Sequence, residues 1–293
     1  MSIRKTVLIE ASLLMGWPLP SPEGSKGKDD RGRVLVIAGS PQVPGAALLA
    51  GEAALRSGAG KLQMGVPAQA ATALALAVPE AKVMPLPTTN AGGCRPTPAL
   101  ELASSNADSI LIGPGMDDTP TLRRLISRLA GHAECTVVAD AGAIAAFDQA
   151  HTFSGTLILT PHAGEMASLI NAHLTEVHAK PNQVAMQLAL QAGVIVVLKG
   201  PRTWIAAPDG RLWQHDGGCH GLGTSGSGDV LGGIIAGLVA RGAEPIQAAV
   251  WGVYLHGRAG ESLARSIGSL GFLARELPIE VPAILDSLAP PQG

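Results

Sequence analysis

Aromatic side chains are scarce in this chain: three Phe, one Tyr and four Trp make up 3% of 293 residues. With hydrophobic residues at 46%, the core must therefore be aliphatic and alanine-rich. Charge is also sparse. Charged residues are 15% of the chain, the net charge is −2, and no Lys/Arg stripe stands out, which argues against nucleic acid or a membrane surface as the main partner. Long hydrophobic runs are missing, and a stretch such as Val230–Ala240 is far too short to span a bilayer. Arg4 and Lys5 precede an apolar segment that Glu10 interrupts, so the N-terminus does not read as a secretory signal. Cys94, Cys135 and Cys219 are widely spaced and contain no C-x-x-C pair. That pattern fits a reducing cytoplasm and excludes a disulfide or zinc framework. Finally, no Gly-Lys-Ser or Gly-Lys-Thr occurs, since Gly60-Lys61 runs into Leu62. A phosphate loop of the Walker type is excluded with it.

What the chain does have is glycine, concentrated in Gly221–Leu238, read GLGTSGSGDVLGGIIAGL. The spacing predicts a loop that becomes a helix near Ser227, with apolar residues at 230, 231, 234, 235, 238 and 239 on the helical period. Backbone N–H groups at such a helix start lack internal partners and face the positive end of the dipole, so they form a seat for phosphate. Asp229 stands in the first turn. Its ordinary role would be to cap the helix. An acid beside a phosphate seat costs Coulomb repulsion, and the alternative role is to orient or deprotonate a hydroxyl that meets the phosphate. The glycines before Asp229, and those at 232, 233 and 237, favour the second role. Gly221, Gly223 and Gly226 also spell G-x-G-x-x-G, but Asp216–His220 before them is loop chemistry, not a buried strand. A dinucleotide fingerprint is therefore rejected.

Taken in order, residues 1–32 form an N-terminal segment with Pro18, Pro20 and Pro22, and residues 33–293 a single catalytic domain. Continuous apolar runs at 33–38, 62–66, 82–86, 109–112, 136–140, 156–160 and 193–198 alternate with helical patterns, and a hairpin turns at Pro208-Asp209-Gly210. This alternation predicts an α/β layered domain with a mostly parallel central sheet. In such sheets ligands bind beyond the carboxyl ends of the strands. The loops there are Gly39–Ala46, Gly113-Pro114-Gly115, Asp140, His162, Lys199–Thr203 and Gly228-Asp229. Among the remaining polar residues, His256 reads as a helix-packing histidine. Trp204 and Trp213 read as packing or subunit contacts, which leaves a homo-oligomer open.

An ordered set of segments carries a family resemblance. They are Gly32–Ser40 with Gly45-Ala46, Ala53–Gly60, Gly113–Gly115, Thr160–Glu165, Leu198–Gly200, Ser227–Leu231 and Tyr254–Gly257. Over roughly residues 24–265 the chain resembles the ribokinase-like superfamily, and within it the ADP-dependent NAD(P)H-hydrate dehydratases, which repair hydrated nicotinamide cofactors. The resemblance implies that Asp229 is catalytic and contacts the hydrated ring, together with Ala46, Gly115 and His162. It implies that Lys199, Gly200, Pro201, Arg202, Thr203 and Gly228 hold the adenine nucleotide. It further implies ADP or ATP as co-substrate, Mg²⁺ without a dedicated protein ligand set, NADHX or NADPHX as substrate, and a separate epimerase as pathway partner.

Two positions depart from the family pattern. Gly142 stands where a second Asp is common, and Asp117 where Gly is common, so no function is carried onto either. Two other readings remain at this point. One is an ATP-dependent kinase of the same superfamily acting on a vitamin-precursor alcohol, with Asp229 as its base. The other is a non-catalytic nucleotide-binding protein, against which the intact Gly228-Asp229 pair argues.

Overall fold

The structure is a computed structural model that describes residues 6–21, 27–146 and 154–289. Its strands are β1 (Val7–Leu8), β2 (Arg33–Ile37), β3 (Lys61–Pro67), β4 (Ala81–Leu86), β5 (Ser109–Ile112), β6 (Thr136–Ala139), β7 (Leu157–Leu159), β8 (Ile195–Leu198), β9 (Thr203–Ala206) and β10 (Leu212–His215). They form one sheet in the order β1-β10-β9-β8-β7-β6-β5-β2-β3-β4. Every neighbouring pair is parallel except those made by β9, which runs against both β8 and β10. The sheet is thus mostly parallel, as the alternating pattern predicts.

The central strands are apolar on both faces because both faces are covered. In β2, Val34 and Val36 point into one buried layer and Leu35 and Ile37 into the other. The same two-residue alternation separates Leu111 from Ile110 and Ile112 in β5. The first layer is roofed by α2 (Gly45–Arg56), α10 (Ser227–Ala240), α11 (Pro245–Ser266) and α12 (Leu277–Leu288). The second is roofed by α4 (Pro98–Ser105), α5 (Pro120–Ala130), α7 (Ala163–Leu169) and α9 (Pro181–Ala192). Four shorter helices complete the set: α1 (Ala11–Met15), α3 (Ala71–Ala77), α6 (Gly142–Ala146) and α8 (Leu174–Ala179). No helix among the described residues is long and apolar enough to cross a membrane.

Residues 6–21 are tied into this body. β1 extends the sheet on β10, and the Trp17 carbonyl accepts hydrogen bonds from Trp251 Nε1 at 3.0 Å and Gln247 Nε2 at 3.1 Å. Trp213 stacks on Trp17 with ring centroids 6.4 Å apart, and both Trp204 and Trp213 are buried within the chain. Both therefore serve packing within the chain. The last helix begins at Leu277, after Ala274–Glu276 closes into a 3₁₀ turn.

Candidate functional site

The parallel strands aim their carboxyl ends at one edge, where the predicted loops collect. The start of α10 forms the floor. Gly226 precedes the helix in a left-handed conformation (φ 89°), which glycine adopts without strain, and no side chain caps the first turn. Asp229 therefore does not cap the helix. The Ser227 N–H donates to the Thr224 carbonyl at 3.3 Å, which leaves the Gly228 and Asp229 N–H groups for a ligand. From the next helix, His256 braces this start: its Nε2 lies 3.0 Å from the Ser227 carbonyl and 2.9 Å from Ser227 Oγ. A carbonyl only accepts, so Nε2 carries the proton. Burial pushes the His256 pKa down to about 4, so the brace is neutral. His256 is thus a positioner of the glycine loop as well as a packed helix residue.

Above the floor stands a polar cluster that sequence reasoning left incomplete. Asp140 noticeably closes β6 at the ligand edge, but its partners are not visible in the sequence. Its Oδ1 accepts hydrogen bonds from Thr160 Oγ1 and from Lys199 Nζ, each at 2.7 Å. The Asp140 side chain is 3% exposed and that of Lys199 20%. Lys199 is thus no solvated amine at a strand end, but a held cation. A Cβ built at Gly228 would lie 3.2 Å from Lys199 Nζ and 3.7 Å from Asp140 Oδ2. A side chain there would crowd the Lys199 ammonium, so glycine keeps the space between this ion pair and the helix start open. Asp229 shares the environment: burial first, and the Asp140 charge second, push its pKa up to about 7, with Lys199 opposing.

Across the cleft, Gly115 (φ 66°) lies against Ala46, and a Cβ added there would come within 2.6 Å of the Ala46 methyl and 2.9 Å of the Val43 carbonyl. The Gly39 N–H donates to the Pro114 carbonyl at 2.8 Å, so the loops after β2 and β5 form one wall. His162 caps α7. Its Nδ1 accepts from Gly164 N at 3.0 Å and Glu165 N at 3.2 Å, which places the ring proton on Nε2, 3.5 Å from Glu165 Oε1. The exposed Nε2–H of His162 is therefore a hydrogen-bond donor at the start of α7. It is bridged in parallel to Lys199, whose N–H donates to the Pro161 carbonyl at 2.8 Å.

The loop from Lys199 to Thr203 opens on solvent: Gly200, Pro201 and Arg202 are exposed and Thr203 half-buried. Arg202 Nε donates to Asp216 Oδ1 at 2.5 Å, joining this loop to the one that leads into Gly221. The structure thus gathers Ala46 with Gly115, His162 with Lys199, and Lys199 with Gly228 and Asp229. The glycines inside α10 have another origin than a ligand. Gly233 and Gly237 abut the backbone of α2, and Gly232 abuts Leu111, so they serve packing. Asp117 is exposed, and Gly142 lies against the backbone of Met116–Asp118, where a side chain would not fit.

The donor set also bears on a metal ion. No group of three or more His, Cys, Asp or Glu able to hold one exists among the described residues. Mg²⁺ generally keeps its waters and binds through few carboxylates plus nucleotide phosphates. The residues present fit an ion that arrives with its nucleotide, not a resident metal centre.

Comparison with known proteins places the chain in a family. Residues 34–282 match the NAD(P)H-hydrate dehydratase family. The chain is 49% identical over 286 residues, 97% of each chain, to the ADP-dependent (S)-NAD(P)H-hydrate dehydratase of Xanthomonas campestris pv. campestris. It superposes with a TM-score of 0.83 and 30% identity on the ADP/ATP-dependent NAD(P)H-hydrate dehydratase from Bacillus subtilis co-crystallized with ATP/Mg²⁺, covering 98% of this chain and 100% of that one. A ribokinase-like superfamily protein from Enterococcus faecalis superposes with a TM-score of 0.82 at 27% identity, over 99% and 98% of the two chains. These likenesses do not favour the kinase reading. With its glycine-flanked helix start, its acid and its ordered strand-tip loops all accounted for, the chain belongs to the NAD(P)H-hydrate dehydratase family.

Proposed function

We propose that this protein is an ADP-dependent dehydratase that returns hydrated NADH and NADPH to the intact cofactors, acting on the S epimer named for its Xanthomonas relative. The observation that carries this reading is Asp229, a carboxylate with a pKa near 7 at an uncapped helix start, beside a held lysine. ADP lies over Lys199, Gly200, Pro201, Arg202, Thr203 and Gly228. The hydrated ring lies against Ala46, Gly115, His162 and Asp229.

Hydroxide is a poor leaving group, and phosphate is a good one. The ring hydroxyl attacks the β-phosphorus of ADP while the bond to the bridging oxygen breaks and AMP departs. Asp229 accepts the hydroxyl proton, a task suited to a base whose pKa lies near the working pH. Lys199 and the N–H groups of the α10 start bear the negative charge that spreads over the transferred phosphoryl group. The carbon–oxygen bond then breaks, the ring nitrogen supplies the electron pair, phosphate leaves, and loss of a proton from the adjacent ring carbon restores the dihydropyridine. His162 Nε2–H donates a hydrogen bond to the substrate and takes no proton. Mg²⁺, when bound with the nucleotide, supplies further neutralisation of phosphate charge.

Such an enzyme works where free nicotinamide cofactors are, in the cytoplasm, and a separate epimerase would feed it the unreactive epimer. The test is direct. Purified protein is mixed with hydrated NADH, Mg²⁺ and either ADP or ATP, and the return of NADH absorbance is followed alongside AMP or ADP release. Absorbance should return with stoichiometric nucleotide cleavage; no return with either nucleotide sinks the proposal.

A further inference from the structure

Beyond the wall made by Gly39 and Gly115, the sheet edge continues to β4. A recess lined by Ser40, Gln42, Gly92 and Asp117 leads away from Gly39. It is bounded by the loop after β4: Gly92 rests on Pro41 and Gly93 on Thr121, at the start of α5. Past that contact the surface opens into a groove of about 500 Å³ lined by Thr89, Arg95, Pro96, Pro120, Thr121 and Arg124. Its volume is that of a small-ligand site.

The two arginines are distinctive. The other arginines of α5 near Arg124 are neutralised: Arg123 pairs with Asp118 at 2.7 Å and Arg128 with Glu101 at 2.7 Å. Arg95 and Arg124 have no carboxylate partner among the described residues, although the chain is net acidic. Two unneutralised guanidinium groups facing one groove repel each other, and a planar donor fork suits a phosphate ester.

The direction of the cleft says which phosphate. From the centre, the adenine nucleotide occupies the β8 side of the edge. The nicotinamide end of the substrate meets Asp229, Ala46 and Gly115 near β5 and β2. The rest of a dinucleotide must leave by the unoccupied side, toward β3 and β4. Three strand steps separate β5 from β4, roughly 14 Å at the usual strand spacing. We infer that the Arg95–Arg124 groove is the subsite for the distal, adenosine-bearing half of the hydrated dinucleotide, with the two arginines engaging its phosphates. This inference rests on the dehydratase reading and deepens it.

The test compares wild type with Arg95→Ala, Arg124→Ala and the double variant on three substrates: hydrated NADH, hydrated NADPH and hydrated nicotinamide mononucleotide, which lacks the distal half. In the double variant KM for the dinucleotides should rise about fivefold to tenfold, the scale of two exposed charge contacts. The values of kcat, of KM for ADP, and of KM for the hydrated mononucleotide should stay unchanged. Arg→Lys variants, which keep the charge and lose the fork, should recover only part of the loss. A rise confined to hydrated NADPH assigns the contact to its 2′-phosphate, and an equal rise for both dinucleotides assigns it to the pyrophosphate; either supports the subsite. Unchanged dinucleotide KM in an active enzyme, or an equal rise for the mononucleotide, overturns it while leaving the dehydratase reading intact. A wild type inactive on all three substrates overturns both.

Discussion

Replacing Asp229 with Asn should destroy activity and stabilise the fold at once, and the two effects have one cause. In the free protein the carboxyl is held neutral against its preference, with its pKa raised from 3.8 to about 7. In the unfolded chain it ionises near 3.8. Between these values the folded state holds a proton that the unfolded state has released, so stability falls as pH rises through that window. Above pH 7 the penalty is complete, and near pH 5 only about a third of it has accrued. At ~1.4 kcal/mol per pKa unit the full shift is on the order of 4 kcal/mol. That is an upper bound because the cleft is open to water, and about half of it is a reasonable expectation. Asn has nearly the same shape and no ionisation. Thermal unfolding of D229N and wild type at pH 8 and pH 5 checks this. The variant should melt roughly 4 °C higher at pH 8, with a smaller gain at pH 5. Turnover should fall by a factor on the order of 10² to 10⁴, as for loss of a general base, while nucleotide binding survives. A variant that is no more stable at pH 8, or whose difference from wild type does not change with pH, refutes the account of a strained acid. Full turnover refutes its role.

Other perturbations follow from the same geometry. Asp140→Asn removes the charge that is the second cause of the raised Asp229 pKa, so the acid limb of the kcat/KM profile should move from near 7 to lower pH while kcat falls; a limb that stays in place separates Asp140 from Asp229. His162→Ala removes both a substrate donor and the cap of α7, so KM for the hydrated cofactor should rise and the melting temperature should fall by the equivalent of ~1 kcal/mol. Unchanged kinetics would remove His162 from the site. Gly233→Val drives a side chain into the Ala50 carbonyl and the Ala53 methyl, and should cost about 1–3 kcal/mol by denaturant unfolding, with activity lost faster than stability.

The sheet was legible because its strands are apolar on both faces. Runs such as Arg33–Ala38 and Ser109–Ile112 have few other readings, and their order with intervening helical patterns settles a parallel layered sheet. The placement of Asp229 and of the strand-tip loops was legible for a topological reason, since parallel strands must deliver their following loops to one edge. Contacts between distant segments were not. The bond from Lys199 to Asp140 joins residues 59 apart, and that from His256 to Ser227 joins residues 29 apart. No local pattern encodes either. A histidine directly after the apolar run Val253-Tyr254-Leu255, as His256 is in α11, was the available signal that something nearby needed a donor. The two-residue β1 strand and the short α6 and α8 helices escaped because two to six residues carry too little periodicity to register.

The glycines of α10 connect packing to chemistry by a different route from the one their abundance suggests. A glycine in a helix interior costs up to ~1 kcal/mol relative to alanine, and α10 carries Gly232, Gly233 and Gly237 in its second and third turns. Gly233 meets Ala50 and Ala53 of α2, and Gly237 meets Ala54 one turn on, so the two helices run in the same sense with their backbones nearly touching. Small residues on both sides are what permit that approach. Counting back one turn from Gly233 gives Asp229, and one turn back from Ala50 gives Ala46. The seam therefore fixes the axial position of the acid at the head of one helix against Ala46 at the head of the other. Gly226 abutting Leu49, and Ala46 abutting Gly115, close the arrangement above it. Two helix starts and the loop after β5 are thereby locked into one frame by contacts that involve no side-chain polar atom of the site. The stability forgone at each helical glycine is the means by which the Asp229 carboxylate is held at the position the proposed reaction requires.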